Sequence, residues 1–260
     1  MTQAPARPIR PPTRGPVLLA FELVMGLVMV SLSSVVLGVV IEIVGTYTIW
    51  KTTDAQGDEQ QSAQHARGIV EEDLAYIAAA PKSLLVRDTV AFSQRMTHWI
   101  ALPYRRFGLL QWYSNVHSNA SESAPAAPGQ KSLTGSLRET SVDIGKVAST
   151  WMLMSMYVAM DVALRLSIAL FALPAFVLAC LLGAVDGLVR RDLRRWSGGR
   201  ESSFVYHHAK RYTAWSLSGG FGLYLMWPFG GFNPAYMVLV FTVLVAATLS
   251  TTIAAFKKYV

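Results

Sequence analysis

Four stretches of the chain run for about twenty residues without a charge, the length a helix needs to cross the hydrocarbon of a bilayer. The first is Leu23 to Ile41, between Glu22 and Glu42, and the second is Leu166 to Val185, between Arg165 and Asp186. The third, Tyr212 to Asn233, follows Arg211, and the fourth, Ala235 to Phe256, stops at Lys257 and Lys258. Gly230-Gly231-Phe232-Asn233-Pro234 lies between the last two and reads as a tight turn, so these runs predict a transmembrane helical hairpin. Gly219, Gly220, Gly222, Ser216 and Ser218 weaken the third run as a helix. Rings at both of its ends, Tyr212 and Trp215 against Trp227 and Phe229, match the aromatic belts of a membrane span.

The block from 51 to 150 shows no lasting period-two alternation, which predicts helices and not strands. Gly68 to Ala80 is alanine-rich, with Glu71, Glu72 and Asp73 in its first turns, where acids suit the positive end of a helix. Pro81 ends that helix and can open the next, in which Leu85, Phe92, Met96 and Trp99 form an apolar packing stripe. Pro103-Tyr104-Arg105-Arg106-Phe107 continues into Leu109, Leu110, Trp112 and Tyr113. Such mixing of rings and arginines favours the headgroup layer or a protein surface over nucleic acid. Ser118 to Gln130 reads as a flexible linker. Helix is expected to resume near Ser141 and run into the second span, with Asp161 and Arg165 four residues apart and able to pair.

Composition supports a membrane protein. Apolar residues make up 52% of the 260 and charged residues only 15%, against about 25% in ordinary soluble domains. A soluble enzyme, a disordered scaffold and a disulfide-built domain are excluded; the one cysteine, Cys180, lies inside an apolar run. The net charge of +7 is unevenly placed. Twelve of the 23 basic residues fall in three short segments: Arg7, Arg10 and Arg14; the seven from Arg190 to Arg211; and Lys257 with Lys258. Lys51 to Lys146 holds ten basic and ten acidic residues. With four spans the three basic segments share one side, which the positive-inside rule makes the cytoplasm. The excess charge then reads as topology and contact with anionic lipid headgroups, with no direct nucleic acid expected.

The expectation is an all-α polytopic membrane protein with four transmembrane helices and a helical periplasmic loop domain, multi-pass, with both termini cytoplasmic. Its predicted parts are a proline-rich, disordered tail over 1–16 and a first transmembrane helix over 17–45, read as an uncleaved signal anchor. A periplasmic helical loop over 46–150 and a helix containing span two over 151–187 follow. A basic cytoplasmic helical hairpin covers 188–211, transmembrane helices cover 212–230 and 235–256, and 257–260 form a cytoplasmic end.

Candidate chemistry is sparse. His207 and His208 are adjacent and so point to different helix faces, unlike a chelating pair. No G-x-S-x-G elbow or Walker A motif occurs, and Gly198-Gly199-Arg200 lacks the lysine and hydroxyl of a phosphate loop. The spans contain neither a nucleophile with a base nor paired carboxylates, so no catalytic residue, cofactor or metal is expected. Pro174 is expected to kink span two. Small residues four apart, Ser34 with Gly38, Gly183 with Gly187 and Ser216 with Gly220, point to close helix packing, within the chain or in a homo-oligomer.

The densest information lies between spans two and three. Arg190, Arg191, Arg194 and Arg195 recur at helical spacing, Ser197-Gly198-Gly199 breaks the helix, and Ser202 or Ser203 can cap a second helix. A compact helical hairpin at the membrane surface is the expected result. The contact residues in it are Arg190, Arg191, Arg194, Arg195, Trp196, Gly198, Gly199, Arg200, Glu201, Phe204, Tyr206 and His207. The run Arg-Arg-Trp-Ser-Gly-Gly-Arg-Glu-Ser-Ser-Phe-Val-Tyr-His, with the four-span layout, resembles the integrating conjugative element membrane proteins, encoded with conjugative type IV secretion machinery. The resemblance implies a non-enzymatic inner-membrane accessory subunit of DNA transfer that docks the type IV coupling ATPase or other transfer proteins. It implies no catalytic residue. A small transporter or channel, or a membrane-embedded enzyme, is the alternative; the first would need polar groups or repeats in the spans, the second a nucleophile-base constellation.

Overall fold

The computed structural model describes residues 15–49, 60–79, 83–122, 133–198, 203–227, 230 and 233–255, and all regular structure among them is helical. The tail through residue 14, residues 123–130 of the expected linker, Gly199 to Ser202 and the C-terminal residues from 256 lie outside the described residues, while Ser118 to Glu122 of that linker are helical. The helices are α1 (Pro16–Thr48), α2 (Gln60–Ala79), α3 (Thr89–Arg106), α4 (Leu109–Glu122), α5 (Leu133–Trp196), α6 (Ser203–Trp215), α7 (Phe221–Leu225) and α8 (Pro234–Ala254). A π turn over Ser216–Gly220 joins α6 to α7.

Three of these helices, α1, α5 from Thr140 onward, and α8, are long and apolar enough to cross a membrane. The third apolar run of the sequence is not one unbroken helix. Ser216, Ser218, Gly219 and Gly220 lie in a π turn that separates α6 from α7, and Gly222 lies in α7.

α5 is the axis of the molecule. Its 64 residues continue through Pro174 and reach about 96 Å at 1.5 Å per residue. Helix begins at Leu133, earlier than the expected Ser141, and the other elements line up along it. α2 descends beside α5, with Ala66 against Met154 and Val158, then Val70 and Ile77 against Leu164 and Ile168. α3 and α4 climb back. Phe92 meets Phe171, the hydroxyls of Tyr104 and Ser155 are 3.5 Å apart, and Val116 faces Gly145.

Two helix boundaries differ from expectation. α3 opens at Thr89 and not at Pro81, because the Asp88 carboxylate accepts the Ala91 N–H at 2.9 Å and caps it there, so Leu85 precedes the helix. Glu71 to Asp73 lie in mid-helix, since α2 starts at Gln60.

Close packing between spans comes from glycine. A Cβ on Gly183 would stand 2.5 Å from the Ala246 carbonyl oxygen, and one on Gly187 2.6 Å from that of Ser250. α5 and α8 thus touch backbone to backbone. The Gly183–Gly187 pair is used inside the chain.

Candidate functional site

A cluster of buried charge sits where the loop helices meet the bundle. Arg165 of α5 donates from Nε to Asp73 Oδ2 of α2 at 3.3 Å. Asp161 Oδ1, one turn earlier on α5, lies 3.0 Å from the same nitrogen without accepting a hydrogen bond from it. Arg165 Nη1 donates to the carbonyl of Tyr224 at 3.2 Å and to that of Trp227, while the Tyr224 hydroxyl donates back to Arg165 O at 3.0 Å. All three charged residues are buried. Burial pushes the Asp73 carboxyl above its ordinary value of 3.8, and the neighbouring guanidinium offsets only part of that effect. The predicted Asp161–Arg165 pair is therefore present, but its strongest hydrogen-bonded carboxylate partner comes from a different helix.

Beside it, His65 of α2 and the buried Glu42 of α1 approach at 2.7 Å, Nδ1 to Oε1. Glu42 and Asp161 line one shallow cleft between α1, α2, α5 and the end of α7. These groups tie four elements together where span ends would otherwise splay. Among the described residues, no group of three or more His, Cys, Asp and Glu side chains comes together to hold a metal ion.

The arginines of the opposite end have unequal roles. Arg190 pairs with Asp186 at 2.9 Å, and Asp186 also accepts the Ser250 hydroxyl of α8 at 2.6 Å. Arg194 donates to the Ala254 carbonyl at 3.1 Å, satisfying an orphan acceptor at the C-terminus of α8. Arg191 is half-buried, and Arg195 is exposed. Trp196 is 91% exposed. Gly198 closes the helix with φ +68, the left-handed position that favours glycine.

Beyond the break, Phe204 is 71% exposed and its ring stacks on His208 at 4.0 Å, while Arg211 lies 4.7 Å over the Trp215 ring. His207 is exposed. Gly199, Arg200 and Glu201 lie outside the described residues, as does the Tyr206 side chain. The residues that would turn the expected hairpin, Gly199 to Ser202, lie outside the described residues. α6 packs on α8 and not on the basic end of α5, with Thr213 and Thr252 hydroxyls 3.1 Å apart. The end of α8 occupies the space between the two arms and is held by both.

Sequence reasoning missed Asp73, Glu42 and His65 as partners. The one signal was a charged residue immediately flanking an apolar run, as Glu42 and Arg165 are.

Residues 58–257 match the family described as IncC plasmid conjugative DNA transfer protein DtrJ-like. The chain belongs to the DtrJ-like family. The matched region takes in α2 to α8, and so includes Asp73, Asp161, Arg165 and the candidate surface between α5 and α6, but not α1 with Glu42. DtrJ-like membership supports the conjugation-associated part of the sequence resemblance; the family is named for a plasmid transfer protein and not for integrating elements. No curated protein and no solved structure matches the chain.

Proposed function

We propose that the chain is a non-enzymatic subunit of a conjugative type IV secretion system, crossing the bacterial inner membrane four times with both termini cytoplasmic. In this reading α6, the π turn and α7 together form the fourth crossing, and α2 to α4 stand in the periplasm around the upper half of α5. The cytoplasmic end docks another transfer protein, the coupling ATPase first among them, and rests on anionic headgroups.

The observation that carries the docking role is the exposure of Trp196 and Phe204 on either side of the Gly198 break, beside the exposed Arg195. Aromatic and arginine side chains dominate the energetics of protein interfaces. Orientation in the membrane needs only positive charge, and no protruding tryptophan. A photocrosslinking amino acid at Trp196 tests the reading in conjugating cells. The expected result is a covalent adduct with the coupling ATPase or another transfer protein; crosslinks to lipid alone would contradict it.

A transporter is the second reading, because Glu42 and Asp161 share a cleft at the mouth of the bundle. Glu42 is paired with His65, and the Asp161 cluster is pinned by Arg165, which favours a structural staple over a transport path.

A further inference from the structure

The connection from α2 to α3 reaches past the ion cluster toward the membrane. The Ser83 hydroxyl donates to the Phe171 carbonyl at 3.3 Å, and the Phe92 ring meets Phe171 edge-on at 5.8 Å. Phe171 lies six residues beyond Arg165 on α5, about 9 Å along the axis. Arg165 itself is level with the Tyr224 and Trp227 carbonyls, where α7 ends and the chain turns toward α8. That ring of polar partners marks the outer end of the spans. The connection therefore lies on the span side of it, alongside the apolar run that begins at Leu166.

Its composition suits that depth. Leu84 is 90% exposed and Leu85 52%, side by side at the tip. The Asp88 carboxylate is occupied in capping α3, and the Arg87 side chain is exposed beside it. An arginine stem lies well along acyl chains while its guanidinium returns to phosphate. The segment Pro103–Phe107, the sequence-based candidate for this role, is placed elsewhere. Tyr104 lies beside Ser155, ten residues before Arg165 on α5 and about 15 Å on the far side of it from Phe171.

We propose that Leu84 and Leu85 insert into the membrane leaflet on this side, with phospholipid acyl chains as their partner and lipid phosphate as the partner of Arg87. The loop helices are then anchored to the bilayer at a third point, besides their two covalent connections to α1 and α5. The proposal rests on α5 crossing the bilayer, as the proposed function requires.

The test uses full-length protein in phosphatidylethanolamine–phosphatidylglycerol vesicles, with Cys180→Ala as background. An environment-sensitive fluorophore is attached at Leu84→Cys, at Leu178→Cys in the middle of the apolar run, or at the exposed Trp99→Cys, seven residues and about 10 Å beyond Phe92 on α3. The expected result at Leu84 is blue-shifted emission, quenching by spin-labelled acyl chains severalfold stronger than at Trp99, and protection from aqueous iodide. Quenching at Leu178 with Leu84 behaving like Trp99 would overturn the insertion and leave the span intact, and would point to a protein as the occupant. Absence of acyl-chain quenching at Leu178 as well would overturn both.

Discussion

Arg165 on α5 holds Asp73 on α2 at 3.3 Å, although 92 residues separate them in the chain. Both side chains are buried, so the contact joins the loop helices to the spans at a depth where neither charge is solvated. Two carboxylates, Asp73 and Asp161, share this one guanidinium.

Breaking the cluster from its centre is expected to be costly. Arg165→Met leaves two buried carboxylates without a cation and should destabilise the folded protein by about 3–5 kcal/mol. Asp73→Asn keeps an acceptor for the guanidinium and removes the surplus negative charge, so it should cost far less. The check is thermal unfolding of the purified variants in detergent, followed by tryptophan fluorescence.

The same residue sets a pH dependence with a definite sign. Burial raises the Asp73 carboxyl above 3.8, so the folded chain keeps a proton there that the unfolded chain has released. The contribution to stability is full below 3.8 and is lost as the pH rises from 3.8 through the raised value. Asp73→Asn should flatten this part of the stability–pH curve; an unchanged slope would assign it to another group.

The α5–α8 contact predicts a sharp difference between glycines. Gly183→Val drives a side chain into the Ala246 carbonyl and should cost about 1–3 kcal/mol, whereas Gly26→Val, with nothing within 4 Å of its Cβ, should be close to neutral. Equal stability of the two variants in detergent would mean that the α5–α8 spacing is not tight.

Much of this architecture was legible from charge-free runs alone. Leu23–Ile41 and Leu166–Val185 each fall inside a long apolar helix, α8 covers the fourth run as far as Ala254, and Gly183 and Gly187 act as packing glycines. Local pattern also identified Asp161 with Arg165, because i and i+4 share a face. It could not supply Asp73 or the Glu42–His65 contact, since neither spacing nor periodicity encodes a partner on another helix. The packing of α6 on α8 was missed for the same reason. Neither arm of the expected hairpin carries a signal for α8, where Arg194 and Thr213 each find a partner. Most of α5 was legible as the helix expected from Ser141 into the second span; its first turns, from Leu133, were missed because they follow a Ser-, Ala- and Pro-rich stretch.

Topology fusions separate a four-span chain from a three-span one. Alkaline phosphatase fused after Ser121 should be active, after Ser197 inactive, and after Gly230 active again. Inactivity at Gly230 would place both ends of the α6–π–α7 run on one side and leave three crossings.

Mating frequency tests the proposed docking role of the Trp196–Phe204 surface most directly. Donor cells lacking the gene would be complemented with wild type or with the double substitution Trp196→Asp and Phe204→Asp, alongside a membrane-fraction blot. The predicted result is loss of DNA transfer by the double variant at wild-type abundance in the membrane, because both side chains are largely exposed and the Phe204 contact with His208 lies within α6. Wild-type transfer by that variant, or undiminished transfer by cells lacking the gene, would contradict it.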